Sequence, residues 1–252
     1  MLKAKTAFIV QARLGSTRLP HKILLPFYKD NTILDIIIDR ITRFKKDTDL
    51  IIATSTSKDD DRIELLCKNK NIKYFRGSEN DVLQRFIDTA EHFGIDDIIR
   101  VCSDNPFFDV EGTLKLLNFS KEFDYTAYKI TGDLPSIKSH LGLWGEVVSL
   151  VALRKVKSFT NEFLFSEHVT NYIYSNRDKF KIRLLKAPDN YFNADKIRLT
   201  VDDIQDFEFL QKIYKELDID NRGLDINSLY NFLNDNKEYL QKMNKQITKY
   251  NK

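Results

Sequence analysis

Residues 11–22, QARLGSTRLPHK, set Arg13, Arg18 and Lys22 around Gly15, Ser16 and Thr17 directly after a short apolar run. A polyphosphate calls for that combination, because small residues let backbone N–H groups approach its oxygens while guanidinium forks pair with them bidentately. Gln11 and Ala12, which open the loop, belong to the same contact set. The competing reading is a solvated basic turn. GxxxxGK[ST] and GxGxxG are both absent, so the loop is neither a Walker A loop nor a dinucleotide fingerprint. Two aspartates, Asp104 and Asp202, also follow apolar runs. Carboxylates from separate strand ends suit Mg²⁺, which takes a few of them together with phosphate oxygens and water. A solvated turn or a helix cap is the alternative for each, and for Asp203 capping is the better reading. Arg100 stands inside an apolar run, where an unpaired charge is costly, so it should point at a crevice or a carboxylate. His140 and His168 form no Ser/His/Asp triad and no metal-spaced pair with their neighbours.

These residues need elements to position them. Residues 6–10 (TAFIV), 50–53, 72–75 and 97–102 (DIIRVC) read as short buried strands. Between them lie helical patterns: Ile33, Leu34, Ile37, Ile38, Ile41 and Phe44 form one stripe, capped by Asn31 or Thr32. Residues 59–69 and 79–93 are the next two helices, the second stopped by Gly94. Strands alternating with helices of this length imply βαβ units and a parallel sheet, with ligands beyond the carboxyl ends of the strands. The loop at 11–22, the RGS loop at 76–78 and the SDNP turn at 103–106 should then face one crevice. The second half is more mixed. Residues 125–130, 141–149, 181–185 and 197–201 (IRLTV) read as extended, and 150–156, 163–175 and 203–217 as helical. The last thirty residues carry Leu229, Phe232, Leu233 and Leu240 at helical spacing, a helix or two on the surface or at a partner.

Composition removes several classes. A chain of 252 residues with 42% hydrophobic and 31% charged residues is an ordinary globular protein of one large domain, or one with a small appendage. Its net charge of +3 gives no case for general nucleic-acid binding. Cys67 and Cys102 make no CxxC pair, which argues against a disulfide framework or zinc site and fits a reducing cytoplasm. No apolar stretch approaches the roughly 20 residues that span a bilayer, and the N-terminal apolar run is too short for a signal peptide.

The loop and the segments that follow resemble, in order, the cytidylyltransferases that make CMP-activated sugars. QARLGSTRLPHKIL is similar to the N-terminal signature of both the spore-coat polysaccharide type and the CMP-3-deoxy-manno-octulosonate synthetase type. Residues 75–83 (FRGSENDVL) with Arg85, residues 167–173 (EHVTNYI) and residues 198–202 (RLTVD) resemble the spore-coat type. Residues 100–106 (RVCSDNP) stand where both types carry an Asp-x-Pro turn, and residues 140–145 (HLGLWG) resemble the octulosonate type. The resemblance covers roughly residues 6–216.

It implies an α/β chain with a Rossmann-like nucleotidyltransferase (GT-A-like) fold, a mixed and mostly parallel sheet flanked by helices. It divides the chain into a catalytic domain at 1–218 and a helical tail at 219–252. The implied activity is Mg²⁺-dependent transfer of a cytidylyl group from CTP to a sugar-like acceptor. Arg13, Arg18 and Lys22 would hold the triphosphate, with Asp104 and Asp202 on the metal. Arg76, Gly77, Asp81, Arg100 and Ser103 join the nucleotide contacts, and Arg76, Ser78, Asp81 and Arg85 would lie near the base and ribose; a plain helical ion pair between Asp81 and Arg85, four apart, is the competing reading. His140, Gly142, Glu146 and His168 would face the acceptor or support a subunit contact. A homodimer is expected through residues 140–175, where Leu143, Trp144, Phe163 and Phe165 would find a partner. Departures from the spore-coat pattern include His21 where glycine is frequent, and Asp202-Asp203-Ile204-Gln205-Asp206 without the usual proline. A glycosyltransferase using a nucleotide sugar, or a non-catalytic nucleotide-binding regulator, are the other classes such a crevice could serve.

Overall fold

The computed structural model describes residues 4–44, 48–188, 194–219 and 223–250. Its strands are β1 (Thr6–Gln11), β2 (Pro26–Tyr28), β3 (Asn31–Thr32), β4 (Asp49–Ser55), β5 (Lys73–Gly77), β6 (Asp97–Cys102), β7 (Tyr125–Lys129), β8 (Glu146–Ser149) and β9 (Ile182–Lys186). β2 and β3 form a small hairpin, and the others make one sheet in the order β5-β4-β1-β6-β8-β7-β9. β1 pairs in parallel with β4 and β6, and β4 with β5. β8 runs antiparallel between β6 and β7, and β7 is again parallel to β9. The expected mixed, mostly parallel sheet is present.

Alternation within the strands decides which face each residue supplies. Phe8 and Val10 of β1 join one buried cluster, with Leu50 and Ile52 of β4 and Ile33, Leu34, Ile37, Ile38 and Ile41 of α1 (Ile33–Phe44), while Phe44, the last residue of the expected stripe, is exposed. Ala7 and Ile9 join the other, beneath α3 (Val82–Phe93) and α6 (Leu150–Phe159). The α1 cap is Thr32: its hydroxyl accepts from the Asp35 N–H, and the Asp35 carboxylate accepts from the Thr32 N–H. Gly94 closes α3 at φ 62°, a conformation that glycine adopts without a Cβ penalty.

The second half departs from expectation in several places. Residues 197–201 are not a strand. Leu199 N–H donates to the His140 carbonyl at 2.9 Å and Val201 N–H to the Asp104 carbonyl at 2.9 Å, so the segment is held by separate loops and joins no ladder. The stretch 141–149 is extended in the sheet only from Glu146, because Gly142 turns the chain at φ 61°. Residues 163–175 break into α7 (Phe163–Glu167) and α8 (Asn171–Ser175), where Thr170 turns inward to donate to buried Glu146. The C-terminal α10 (Ile226–Asp235) and α11 (Lys237–Lys249) bury Leu229, Leu233, Tyr239 and Met243 in the same cluster as α9 (Ile204–Glu216).

Candidate active site

β1 sits at the point where the strand order reverses: the chain builds outward from it to β4 and β5, then returns with β6 on its other flank. Open α/β sheets bind ligands at that point, beyond the carboxyl ends of the strands. A crevice of about 660 Å³ lies there, room for a nucleotide and part of a second substrate. Gln11, Ala12, Arg13, Gly15, Ser16, Thr17, Arg18 and Lys22 line it from the loop after β1. Arg100, Ser103 and Asp104 come from β6 and its turn, and His168 and Asp202 from the second half. The basic loop is pinned at its base, where the buried Asp60 carboxylate accepts the Leu14 N–H at 2.8 Å. His21, where the resembled families favour glycine, has φ 58°, which explains that preference.

The charges converge. Arg18 donates to Asp202 Oδ1 at 2.6 Å, and Arg13 pairs with Glu167 at 3.1 Å. Lys22 Nζ reaches Asp104 Oδ2 at 3.1 Å and Asp202 Oδ1 at 3.9 Å. Two carboxylates from distant parts of the chain therefore share one cation. No group of three His, Cys, Asp or Glu side chains able to hold a metal occurs among the described residues. The pair fits a Mg²⁺ ion whose remaining ligands come from phosphate and water, and does not fit an all-protein cage. Asp202 is further held by Arg198, whose guanidinium is fully buried and donates to Asp202 Oδ2 at 2.8 Å and Asp206 Oδ1 at 2.8 Å. Asp203 caps α9 in a reciprocal box with Asp206, as its sequence position indicated.

Other expected site residues stand elsewhere. The RGS loop does not line the crevice, because β5 is an edge strand about 10 Å, two strand spacings, from β1. Arg76 instead pairs with Asp61 and Glu64. Gly77 makes room for Arg85: a Cβ there would lie 3.0 Å from Arg85 Cγ. Asp81 caps α3 through the Gln84 N–H and pairs with Lys157 rather than Arg85. His140 Nδ1 accepts from Arg198, and Gly142 packs so closely on residues 199–200 that a Cβ would meet Thr200 Cγ2 at 2.8 Å. Both brace the segment that carries Asp202. Glu146 is 1% exposed and accepts from Arg100 Nη1 at 2.5 Å, Thr170 Oγ1 at 2.8 Å and the Tyr125 hydroxyl. Arg100 also donates to Gln11 Oε1 at 2.8 Å, tying that network to the crevice. Burial opposes its charge, but Cys102 and Glu146 hold its pKa above the ordinary value.

The crevice also takes in residues that sequence reasoning left out of the site. Glu167, Thr170 and Asn171 lie within the quoted EHVTNYI segment, which was the available signal, whereas nothing marked Lys138. Arg85, for which the sequence left a nucleotide contact and a helical ion pair both open, lines the crevice although it is 1% exposed. Burial first, and then the charge of Arg13, bring its pKa down to about 10. Leu143 and Trp144, expected at a subunit contact, are buried in the chain's own core, with Trp144 Nε1 donating to Asp109 at 3.1 Å. Phe163 and Leu164 are exposed.

The switch-point crevice, its basic loop and the paired aspartates define a nucleotidyltransferase. The chain belongs to the cytidylyltransferase family, whose sequence model matches residues 7–238. It is 38% identical over 232 residues to the uncharacterized protein MJ1063 of Methanocaldococcus jannaschii, covering 91% of this chain and 90% of that one. It is 36% identical over 218 residues to the spore coat polysaccharide biosynthesis protein SpsF of Bacillus subtilis, covering 83% and 86% of the two chains. A cytidylyltransferase structure from Leptospira borgpetersenii superposes with a TM-score of 0.79 at 28% identity, over 95% of this chain and 98% of that one. No helix of the described residues is long and apolar enough to cross a membrane.

Proposed function

We propose that this enzyme transfers the cytidylyl group of CTP to an acidic sugar or sugar phosphate, releasing pyrophosphate, in the cytoplasmic synthesis of a surface polysaccharide or glycan. The convergence of Arg13, Arg18 and Lys22 on the crevice beyond β1 and β6 carries the reading. Each of these cations holds a carboxylate, and a triphosphate entering the crevice competes for them with a higher charge density and bidentate geometry. An acceptor oxygen, which where it is a hydroxyl gives up its proton to solvent, attacks the α-phosphorus in line with its bond to the bridging oxygen. That bond breaks, and pyrophosphate leaves with the electron pair. Arg13 and Arg18 hold the phosphates and offset charge on the departing group, while Lys22 exchanges its aspartate contacts for a phosphate oxygen. Asp104 and Asp202 would hold Mg²⁺, which when bound supplies further charge neutralisation on the phosphates. Positioning and electrostatics supply the rate in such transfers, so no serine or cysteine nucleophile is needed. An anomeric hydroxyl gives a CMP-sugar, and a phosphate acceptor gives a CDP-linked product.

The deciding experiment measures pyrophosphate release with each of the four nucleoside triphosphates across a panel of acidic sugars and sugar phosphates. CTP with one acceptor class should dominate. Equal turnover or equal thermal stabilisation with ATP or UTP would remove the cytidine assignment. A homodimer forms part of the same proposal, supported by the exposed Phe159, Phe163 and Leu164. Light scattering showing a monomer at micromolar concentration would reject it.

A further inference from the structure

The C-terminal helix ends against the basic loop that follows β1. The Tyr250 ring lies 4.8 Å from the Arg18 guanidinium carbon and 5.0 Å from that of Arg198. Those arginines hold the opposite oxygens of Asp202, Arg18 on Oδ1 and Arg198 on Oδ2. Tyr250 is itself fixed. Its hydroxyl donates to Asp203 Oδ2 at 2.6 Å, Lys249 Nζ reaches the same oxygen at 3.0 Å, and α11 is anchored upstream by buried Tyr239 and Met243. Arg18, by contrast, leaves about half of its side chain in solvent on an irregular loop, where a long flexible side chain would otherwise sample many rotamers. An aromatic face beside a guanidinium restricts that freedom while leaving its N–H donors available.

We infer that Tyr250 is a positioning residue for the nucleotide: its ring holds the Arg18 guanidinium against the crevice for the triphosphate, so the C-terminal helix completes the phosphate side of the site. The inference rests on the reading that Arg18 binds a nucleoside triphosphate.

The test compares Tyr250→Leu, which removes the ring, with Tyr250→Phe, which keeps it and loses only the bond to Asp203. Both are measured by calorimetric titration with CTP and Mg²⁺ and by pyrophosphate release, with a thermal melt to confirm folding. Tyr250→Leu should raise Kd and KM for CTP about fivefold, the equivalent of about 1 kcal/mol of cation–π contact, with kcat changed less than about twofold. Tyr250→Phe should lose much less than Tyr250→Leu, because Tyr239 and Met243 still anchor the helix that carries the ring. In an Arg18→Ala background, Tyr250→Leu should add no further loss, because the ring acts through that arginine. Unchanged CTP affinity in Tyr250→Leu, an equal loss in Tyr250→Phe, or a full additional loss in the Arg18→Ala background would each overturn the inference. A wild-type protein that binds no nucleoside triphosphate would instead end the underlying reading, and is seen before any variant is made.

Discussion

Replacing Glu146 separates two roles that the sequence alone could not distinguish. A carboxylate that touches the acceptor, when truncated, lowers turnover and leaves the fold intact. The geometry assigns Glu146 the opposite behaviour: its carboxylate is buried and receives bonds from Arg100, Thr170 and Tyr125. Glu146→Ala would leave the Arg100 guanidinium, 6% exposed, with Gln11 Oε1 as its remaining side-chain acceptor among these contacts. Breaking a buried ion pair by removing one partner costs about 3–5 kcal/mol, since the other charge stays desolvated. Against a total stability of about 5–15 kcal/mol that is a severe loss, and in a chain of this size it lowers Tm by roughly 10 °C. Glu146→Gln should fall between the wild type and the alanine variant, because its amide keeps the shape and can accept from Arg100 while the Tyr125 hydroxyl reverses. Urea unfolding followed by circular dichroism gives the free energies, and acceptor KM is measured on whatever protein remains folded. An alanine variant that melts within about 2 °C of wild type yet has lost acceptor binding would refute this account and restore Glu146 to the acceptor site.

Asp104→Asn and Asp202→Asn should each abolish pyrophosphate release in a folded protein, and the double variant should be scarcely worse than either single, because paired ligands act as one unit. Near-normal activity of either single at limiting Mg²⁺ would reduce that aspartate to a turn residue. Burial alone would raise the Asp203 pKa, but bonds from Tyr250, the Asp206 N–H and Lys249 bring it down to about 2. A carboxylate depressed in the folded state adds stability above its unfolded pKa, and that stability is lost as pH falls from about 4 to 2. Asp203→Asn should remove about 2 kcal/mol of that acid-dependent stability, and an unaltered acid unfolding midpoint would contradict it. Gly142→Ala places a methyl 2.8 Å from Thr200 Cγ2 at φ 61°, so it should cost roughly 1–3 kcal/mol. It should also raise KM for CTP by displacing residues 197–202; a variant with wild-type melting and KM would show that the contact yields freely.

Local sequence determined whatever depends on neighbours in the chain. The stripe of α1, except for Phe44 at its exposed end, the Gly94 stop and the Asp203 cap follow from periodicity and backbone chemistry within a few residues and formed as the sequence dictates. The basic loop after β1 was legible for the same reason: its glycine, small residues and cations lie within twelve consecutive positions. Strand order was not legible, because β4 and β5 could have been added on either flank of β1. Their placement carried the RGS loop away from the crevice and brought the turn after β6 into it. Extended backbone at 197–201 was equally readable, but a ladder needs a partner strand, and tertiary packing supplied separate loop carbonyls instead. Most of all, only the folded chain decided that Asp104 and Asp202, 98 positions apart, would meet at Lys22. It also decided that Tyr250, at the far end of the chain, would lie against Arg18. A local pattern specifies which groups a segment offers; which of them share one cation or one ring depends on long-range contacts that the sheet and its crossing connections create.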